Sequence, residues 1–230
     1  MTHSTMKFMN NPQFGSARLA AMALWIASGA SQAATLDVLA LDRDGKPTPD
    51  AVVSVFPSGK GAPRTPLPTT AVVAQEKQQF SPRVTVVGIG AKVRFTNADA
   101  WNHHVRLGVP GAPLGDTDGQ SIVLEGKTEG KPANSAVLMF DKPGAHGAAM
   151  LGCYIHSSMK GTVYVAESPW TVKTGPDGIA HIEDVPEGAA KVKVWHQGLL
   201  VEKEATAVSI GSAPATITLQ LNLLSRGKRL

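Results

Sequence analysis

Residues 153–159 bring together three kinds of side chain that bind transition metals. They read Cys-Tyr-Ile-His-Ser-Ser-Met, which places a thiol, an imidazole and a thioether in a C-x2-H-x2-M cluster. About fifty residues upstream, His103 and His104 follow a segment of alternating apolar and polar residues. A thiolate, two imidazoles and a long, weak thioether are the donors of a trigonal blue-copper site. Zinc also binds cysteine and histidine, but methionine is not among its usual ligands, so the donor set favours copper.

Each of these residues also has an ordinary structural explanation. Cys153 could be a small buried apolar side chain, Met159 could fill a core, and His156 could be a polar loop residue. The chain has only one cysteine, however, so no internal disulfide can form. In an oxidising compartment an unpaired thiol needs burial or a metal to protect it. The cluster as a whole therefore favours a metal site.

The amino-terminal residues 1–33 are predicted to be a cleaved signal peptide. They contain no acidic residue, and Lys7 and Arg18 precede an apolar stretch. A Ser-Gln-Ala sequence ends at Ala33 and predicts cleavage after that residue. The alternative, a membrane anchor, is disfavoured because the apolar run is well short of the roughly 20 residues that span a bilayer. We therefore expect a soluble periplasmic product with no transmembrane segment in its mature form.

The rest of the sequence predicts an all-β fold. Among 230 residues there are 23 glycines and 16 prolines, while only 17% of residues are charged, which is typical of short strands joined by turns. The net charge of +4 is too small to indicate a nucleic-acid partner. Apolar and polar side chains alternate with a period of two in residues 92–95, 162–165, 191–194 and 217–223.

Residues from about 72 to 166 resemble the cupredoxins, the plastocyanin and amicyanin group of blue-copper proteins. The matching signature is Val93-x-Phe95-x-Asn97, a histidine six residues after that asparagine, and a C-x2-H-x2-M-x-G-x-V run. The short ligand spacing is most similar to that of amicyanin, the carrier of methylamine oxidation. The segment from Gln79 to Pro82 is similar to an F-x-P segment of the family.

This resemblance implies a Greek-key β-sandwich with one mononuclear type 1 copper site. It also implies a periplasmic one-electron carrier that works between protein redox partners and is not an enzyme. The metal ligands that it implies are His103, Cys153, His156 and Met159.

Strand geometry agrees with the choice of His103 over His104. Side chains alternate between the two faces of a strand, so His103 shares a face with Val105, while His104 shares its face with the charged Arg106. A site enclosed in the end of a sandwich needs the apolar face. A bulge after Asn102 would exchange the two histidines.

The chain departs from the family pattern at three positions beside the ligands. His104 replaces an asparagine that usually ties the two ligand loops together, Gly152 replaces an aromatic residue before the cysteine, and Ile155 replaces a proline before the second histidine. Such neighbours tune the potential and the rigidity of a site more than they decide whether metal binds.

Two separate segments resemble the halves of one transthyretin-like or carboxypeptidase-regulatory-like β-sandwich. The first contains strand, Asp-Gly turn and strand, and the second contains D-G-x-x-x-I, P-x-G and V-x-V-W-H sequences. We interpret the cupredoxin segment as an insertion between them; the alternative is a tandem arrangement in which the first strands join the cupredoxin edge. The predicted organisation is signal peptide 1–33, first half 34–66, cupredoxin 67–166, second half 167–225 and tail 226–230.

Three other functions compete with electron transfer. A periplasmic copper chaperone or storage protein could use the same ligands, although the mature sequence has no Met- or His-rich tract. A copper oxidase would need further histidines, usually in H-x-H pairs, and none occurs. The split sandwich could instead be the active part and bind a partner or a glycan.

Overall fold

The computed structural model describes Met1, His3 and residues 33–108, 121–144, 148–199 and 203–223. Within these residues there are sixteen β-strands and no helix, which confirms the all-β prediction. The signal-peptide prediction falls almost entirely on residues outside this description. No helix of the described part is long and apolar enough to cross a membrane.

The strands follow one another from Ala33 to Gln220. They are β1 (Ala33–Leu41), β2 (Val52–Pro57), β3 (Thr70–Glu76), β4 (Gln79–Ser81), β5 (Val84–Val87), β6 (Ala91–Asn97), β7 (His103–Gly108), β8 (Ser121–Leu124), β9 (Ser135–Phe140), β10 (Ala149–Cys153), β11 (Lys160–Val165), β12 (Trp170–Lys173), β13 (Ile179–Pro186), β14 (Gly188–Trp195), β15 (Thr206–Ile210) and β16 (Ala215–Gln220).

One pair of sheets, here called the terminal sandwich, combines strands from both ends of the described chain. Its three-stranded sheet has the order β13-β1-β16, and its four-stranded sheet has the order β12-β2-β14-β15. Side chains from both sheets, among them Leu36, Val53 and Ile182, form one buried apolar cluster. Strand β1 is central in its sheet, antiparallel to β13 and parallel to β16.

The strands between β2 and β12 form a second pair of sheets, here called the central sandwich. A four-stranded sheet has the order β4-β3-β6-β9, and a five-stranded sheet has the order β5-β11-β10-β7-β8. Strand β6 alternates as the sequence predicts, with Val93 and Phe95 buried and Lys92 and Arg94 exposed. The two sheets share a core that also includes Cys153.

The two sandwiches pack against each other through a third apolar cluster. Tyr164 of β11 meets Trp195 of β14, with the ring centroids 5.2 Å apart. Val84 of β5 and Val52 of β2 belong to the same cluster. The outer face of the five-stranded sheet is therefore partly covered by the terminal sandwich.

This packing explains one difference from the sequence prediction. The alternation in residues 162–165 suggests one buried and one exposed face, but all residues from Gly161 to Val165 are buried. Val163 and Val165 point into the central core, whereas Tyr164 belongs to the cluster between the sandwiches. When a strand is buried on both faces, the alternation of its side chains reveals the core on one face but not the sandwich that packs on the other.

The first predicted turn also connects its strands differently from a simple hairpin. The Asp42 carboxylate accepts hydrogen bonds from the N–H groups of Asp44 and Lys46, which closes the turn. Strands β1 and β2 nevertheless lie in different sheets, because β2 pairs with β12 and β14. The turn thus carries the chain from one layer of the terminal sandwich to the other.

Candidate metal centre

Neighbouring strands of the five-stranded sheet carry two of the predicted ligands. His103 is the first residue of β7, and Cys153 is the last residue of β10. The strands are antiparallel, and Cys153 lies opposite Val105, on the inner face of the sheet. Because residues two apart on a strand share a face, His103 points to the same side as Val105. Both His103 and Cys153 are buried, with exposed fractions of 0% and 3%.

The turn between β10 and β11 carries the other two predicted ligands. His156 is half-buried, and Met159 is buried in the same apolar core cluster as Cys153. The Met159 N–H donates to the His156 carbonyl at 3.0 Å, which closes the turn tightly. One strand end and one short turn thus supply the sulfur, nitrogen and thioether groups of residues 153–159.

Three of these side chains converge on one point. The Cys153 Sγ lies 3.7 Å from Nδ1 of His103 and 3.8 Å from Nδ1 of His156. The ligand atoms of the three residues lie within 4.8 Å of one another. The structure thus brings His103, Cys153 and His156 together, and it places His104 elsewhere, with its ring against Tyr154.

The spacing of these donors is suited to a small transition-metal ion. Bonds of about 2.3 Å to sulfur and about 2.0 Å to nitrogen, set at a trigonal angle, separate the sulfur from each nitrogen by about 3.7 Å. The observed separations of 3.7 and 3.8 Å agree with this value. The chemistry of the set, a thiol with two imidazoles, suits copper, and Met159 of the same turn offers the thioether of a blue-copper site.

A carboxylate holds the buried histidine from behind. The Asp99 Oδ2 lies 2.9 Å from Nε2 of His103, and the exposed fractions of the two side chains are 7% and 0%. When Nε2–H donates to this carboxylate, the lone pair of Nδ1 faces Cys153, which is the tautomer that a ligand needs.

The Asp99 carboxylate is itself held by several donors. Its oxygens accept from the N–H groups of Lys77 and Gln78 at 2.7 and 3.1 Å. Burial alone would raise the pKa of Asp99, but the hydrogen bonds from His103, Gln78 and Lys77 outweigh it and keep the pKa below its usual value. A buried anion therefore stands next to His103.

The loop that precedes His103 is fixed by a buried asparagine. The Asn97 side-chain NH2 donates to the carbonyls of Trp101, Leu124 and Glu125 at 2.8 to 3.0 Å. The Asn97 Oδ1 accepts from the N–H of Asp99 at 2.9 Å. Asn97 therefore ties the end of β6 to the end of β8 and holds the carboxylate that orients His103.

Gly126 packs so closely against the loop of residues 98–102 that no larger residue fits there. A Cβ on Gly126 would overlap with the Ala100 carbonyl, and the Gly126 N–H donates to Oδ1 of Asn102 at 2.8 Å. Any larger residue at position 126 would push the loop away from β8. The loop of residues 98–102, which leads into His103, is thus held by Asn97 and by Gly126.

Each of the three departures from the family pattern either contacts Tyr154 or lies within two residues of it in the chain. A Cβ on Gly152 would lie 2.8 Å from Nε of Arg106, so the absent side chain makes room for the arginine. The Arg106 guanidinium lies 5.1 Å from the centre of the Tyr154 ring, and that ring lies 4.8 Å from the His104 ring. Ile155 is exposed beside them, at 56%.

Sequence reasoning missed Asp99 and the role of Asn97 in the loop. Asn97 belonged to the recognised signature, but its partners are backbone carbonyls that no sequence pattern reveals. Asp99 lies four residues before His103 in an irregular segment, where spacing gives no indication of contact. The one general indication was chemical: a histidine that binds metal commonly donates its other ring N–H to a carboxylate, so an acidic residue was to be expected near His103.

No family model and no curated protein matches this chain. Among solved structures, it is similar to the reduced Cu(I) form of an amicyanin mutant, with 23% identity and a TM-score of 0.33 over 50% of this chain and 98% of that one. A pseudoazurin from Sinorhizobium meliltoi has 25% identity and a TM-score of 0.30, over 43% of this chain and 75% of that one.

An enzyme also occurs among these similar structures. It is a Cu-containing nitrite reductase from Thermus scotoductus SA-01, with 25% identity and a TM-score of 0.32, over 48% of this chain and 25% of that one. The similar solved structures therefore include cupredoxins, each matching about half of this chain or less.

Proposed function

We propose that this protein is a periplasmic blue-copper electron carrier with a single type 1 site. In this proposal His103, Cys153 and His156 are the strong ligands and Met159 is the weak axial one. The observation that carries it is the convergence of one sulfur and two imidazole nitrogens within 4.8 Å at the buried end of a β-sandwich. Bound copper would supply a one-electron Cu(II)/Cu(I) couple at that point.

The residues around the donors are suited to holding such a site rigid. Asp99 fixes the ring of His103, and Asn97 fixes the loop that carries Asp99. Val105 and Leu124 belong to the buried core beside Cys153 and keep water from the sulfur. A site that is held in one geometry needs little rearrangement when an electron arrives or leaves, which favours rapid transfer.

The number of side chains that could bind the metal favours a carrier function over an enzymatic one. A catalytic metal site keeps a position open for water or substrate. In this proposal three strong donors and the Met159 thioether fill the positions around the metal, and Met159 is only 1% exposed. Protein redox partners, rather than a small substrate, would then exchange electrons with the copper, and the half-buried His156 would face them.

The test is a visible and EPR spectrum of the copper-loaded mature protein. We expect an intense thiolate-to-copper charge-transfer band that is absent from Cys153→Ser and His103→Ala. His104→Asn is the matched control and should keep the band. A band that survives in Cys153→Ser, or a wild-type protein that binds only colourless metal, would refute the blue-copper assignment.

A second variant separates electron transfer from copper handling. Because the axial thioether is a weak ligand, Met159→Leu should keep copper bound and raise its reduction potential. Complete loss of copper from a folded Met159→Leu protein would mean that the methionine is a primary ligand. A storage or chaperone function would then describe the protein better.

A further inference from the structure

The hairpin between β3 and β4 turns through two residues whose backbone is left-handed. Glu76 pairs with Gln79, so Lys77 and Gln78 form the whole loop. Their φ angles are 52° and 57°, and a positive φ at both central positions is the pattern of a type I′ turn. Such turns favour asparagine and glycine, because longer L-residues are strained at positive φ. Neither lysine nor glutamine is suited to this conformation by itself.

The side chains of the turn do not explain this strain. Lys77 and Gln78 are both exposed, so neither is held by packing in the core. In the terminal sandwich, the described residues other than glycine that have a positive φ are Asp50 and Asp184, and aspartate tolerates this conformation better than most residues do. The reason for the left-handed turn at Lys77 and Gln78 must therefore be sought in its backbone groups.

Both backbone N–H groups of the turn point at one buried carboxylate. The Lys77 N–H donates to Oδ1 of Asp99 at 2.7 Å, and the Gln78 N–H donates to Oδ2 of the same residue at 3.1 Å. Successive N–H groups that converge in a turn form an anion-binding nest. A turn with negative φ angles would direct these groups elsewhere, so the strained backbone is what creates the nest.

The nest fixes an oxygen that also contacts the buried histidine. Oδ2 of Asp99 accepts from Gln78 and lies 2.9 Å from Nε2 of His103. Because Lys77 holds the other oxygen, the carboxylate cannot rotate without breaking a short hydrogen bond. The orientation of the carboxylate, and with it that of the His103 ring, therefore depends on the turn.

These hydrogen bonds run from an exposed turn to the candidate metal centre. Asp99 is 7% exposed and His103 is fully buried. On the other side of its ring, Nδ1 of His103 lies 3.7 Å from the Cys153 Sγ. The loop that carries Asp99 is tied to the same hairpin, because the Ala98 N–H donates to the Gln75 carbonyl at 2.9 Å. The hairpin and the loop thus hold each other in place.

We propose that Lys77 and Gln78 are positioning residues for His103, and that they act through the nest that their N–H groups form around Asp99. The part of this inference that concerns copper rests on the proposed electron-carrier function. The nest itself involves only residues of this chain, so it is tested with and without metal. A turn that only closed the hairpin would affect stability and leave the His103 ring unchanged.

Amide hydrogen exchange of the metal-free mature protein tests the nest. We expect the Lys77 and Gln78 amides to exchange at least about tenfold more slowly than unprotected amides, because the carboxylate accepts from both. In Asp99→Asn the side-chain oxygen can replace Oδ2, which accepts from His103 and Gln78, so the Lys77 amide should lose its protection. Fast exchange of both amides in the wild-type protein, or unchanged protection of Lys77 in Asp99→Asn, would refute the nest.

Two substitutions of Gln78 test the connection to the ligand in the same metal-free protein. Gln78→Gly suits a positive φ and should leave the ¹⁵N signals of the His103 ring at their wild-type positions. Gln78→Val keeps the N–H group, but its β-branched side chain disfavours a positive φ, so it should shift or broaden those signals. Gln79→Val is the matched control, because it removes the same exposed side-chain amide from a strand position that accepts β-branched residues.

Urea unfolding of the same variants identifies a merely structural turn. A lower stability of Gln78→Val with unchanged ring signals of His103 would overturn the proposal. Equal changes of the ring signals in Gln78→Val and Gln79→Val would also overturn it.

Copper-loaded protein separates this inference from the proposed function. Gln78→Val should lower the affinity for Cu(I), measured by competition with a chelator, about tenfold, because losing a group that orients a ligand weakens metal binding. Gln78→Gly and Gln79→Val should keep the wild-type affinity, and an equal affinity in Gln78→Val would refute the positioning of a ligand. If the wild-type protein shows no blue band, the proposed function fails, while amide exchange and the ring signals still decide whether the turn positions His103.

Discussion

The two sandwiches bury polar side chains for different purposes. In the terminal sandwich the buried hydroxyls bond to nearby backbone: Thr174 accepts from the Ala51 N–H and donates to the Thr48 carbonyl. Thr171 donates to the Ser168 carbonyl in the same way. These groups hold strand ends in register, and among the described residues of this sandwich no set of His, Cys, Asp and Glu side chains is directed at a common point.

The central sandwich instead buries a carboxylate, an imidazole and an amide together at one end. Asn97, Asp99 and His103 form a chain of hydrogen bonds that leads to Cys153. Burial of a carboxylate and an imidazole has a larger desolvation penalty than burial of hydroxyls. Apolar side chains at these positions would give a larger free energy of unfolding. This difference supports the proposal that the central sandwich gives up some stability to hold its candidate ligands in one geometry.

The largest change that tests the difference between the two sandwiches is the removal of residues 67–166, which contain the central sandwich. Strands β2 and β12 are antiparallel neighbours, with Trp170 opposite Val55, so the two ends of the segment leave the terminal sandwich side by side. We expect a chain that joins residue 66 to residue 167 to stay folded, and residues 67–166 to fold alone and bind copper. Exposure of Val52 and Trp195 should cost the joined chain about 2–5 kcal/mol.

Amide NMR spectra of both chains measure this outcome. Dispersed signals from each would support an autonomous insert. A collapsed spectrum of the joined chain would favour the tandem arrangement.

The contact between the sandwiches should account for the next largest effect. Trp195→Ala removes the ring that packs on Tyr164 and should cost about 3 kcal/mol. Because Trp195 belongs to the cluster that joins the sandwiches, the loss should increase hydrogen exchange in both. Trp170→Ala is the matched control, since Trp170 belongs to the apolar cluster inside the terminal sandwich. It should increase hydrogen exchange in that sandwich only. Identical exchange patterns would contradict the coupling.

Removing one buried polar group from each sandwich gives a smaller and more specific contrast. Asn97→Ala leaves three carbonyls without their donor, and Thr174→Val removes two hydrogen bonds. Each should cost about 1–3 kcal/mol in urea unfolding. Only Asn97→Ala should broaden or shift the His103 ring signals in the NMR spectrum. A similar response of those signals to Thr174→Val would remove the distinction.

The most local of these changes is Asp99→Asn. The amide oxygen can replace Oδ2 and accept from His103, but the amide NH2 would then face the Lys77 N–H, so the free energy of unfolding should fall by about 1–3 kcal/mol. The lost negative charge should raise the reduction potential of copper-loaded protein, since an anion beside the ligand favours the more highly charged metal. Asp37→Asn, beside the exposed His181, is the control and should leave the potential unchanged. An unaltered potential in Asp99→Asn would mean that the carboxylate is only structural.

Sequence patterns predicted the elements whose environment is simple. The alternation of Val93 and Phe95 gave a correct strand because one face of β6 is buried and the other exposed. The same rule placed His103 inward and His104 outward, since β7 continues that alternation without a bulge. These predictions need only local periodicity.

Features that depend on a distant partner were not predictable. Thr162 and Tyr164 are buried by a sandwich whose strands lie elsewhere in the sequence. Asp99 reaches His103 only because Asn97 folds the intervening loop back on itself. No periodic pattern contains information about such contacts.

The order in which the chain can fold follows from the position of β1. This first strand lies between β13 and β16, so its sheet cannot be completed until nearly the last described residues are available. The central sandwich contains all of its own strands in an uninterrupted stretch, and we expect it to form first. Once folded, it holds the ends of β2 and β12 together and shortens the effective loop that the terminal sandwich must close. The segment that carries the candidate metal centre thus provides a folded template for the assembly of its neighbour.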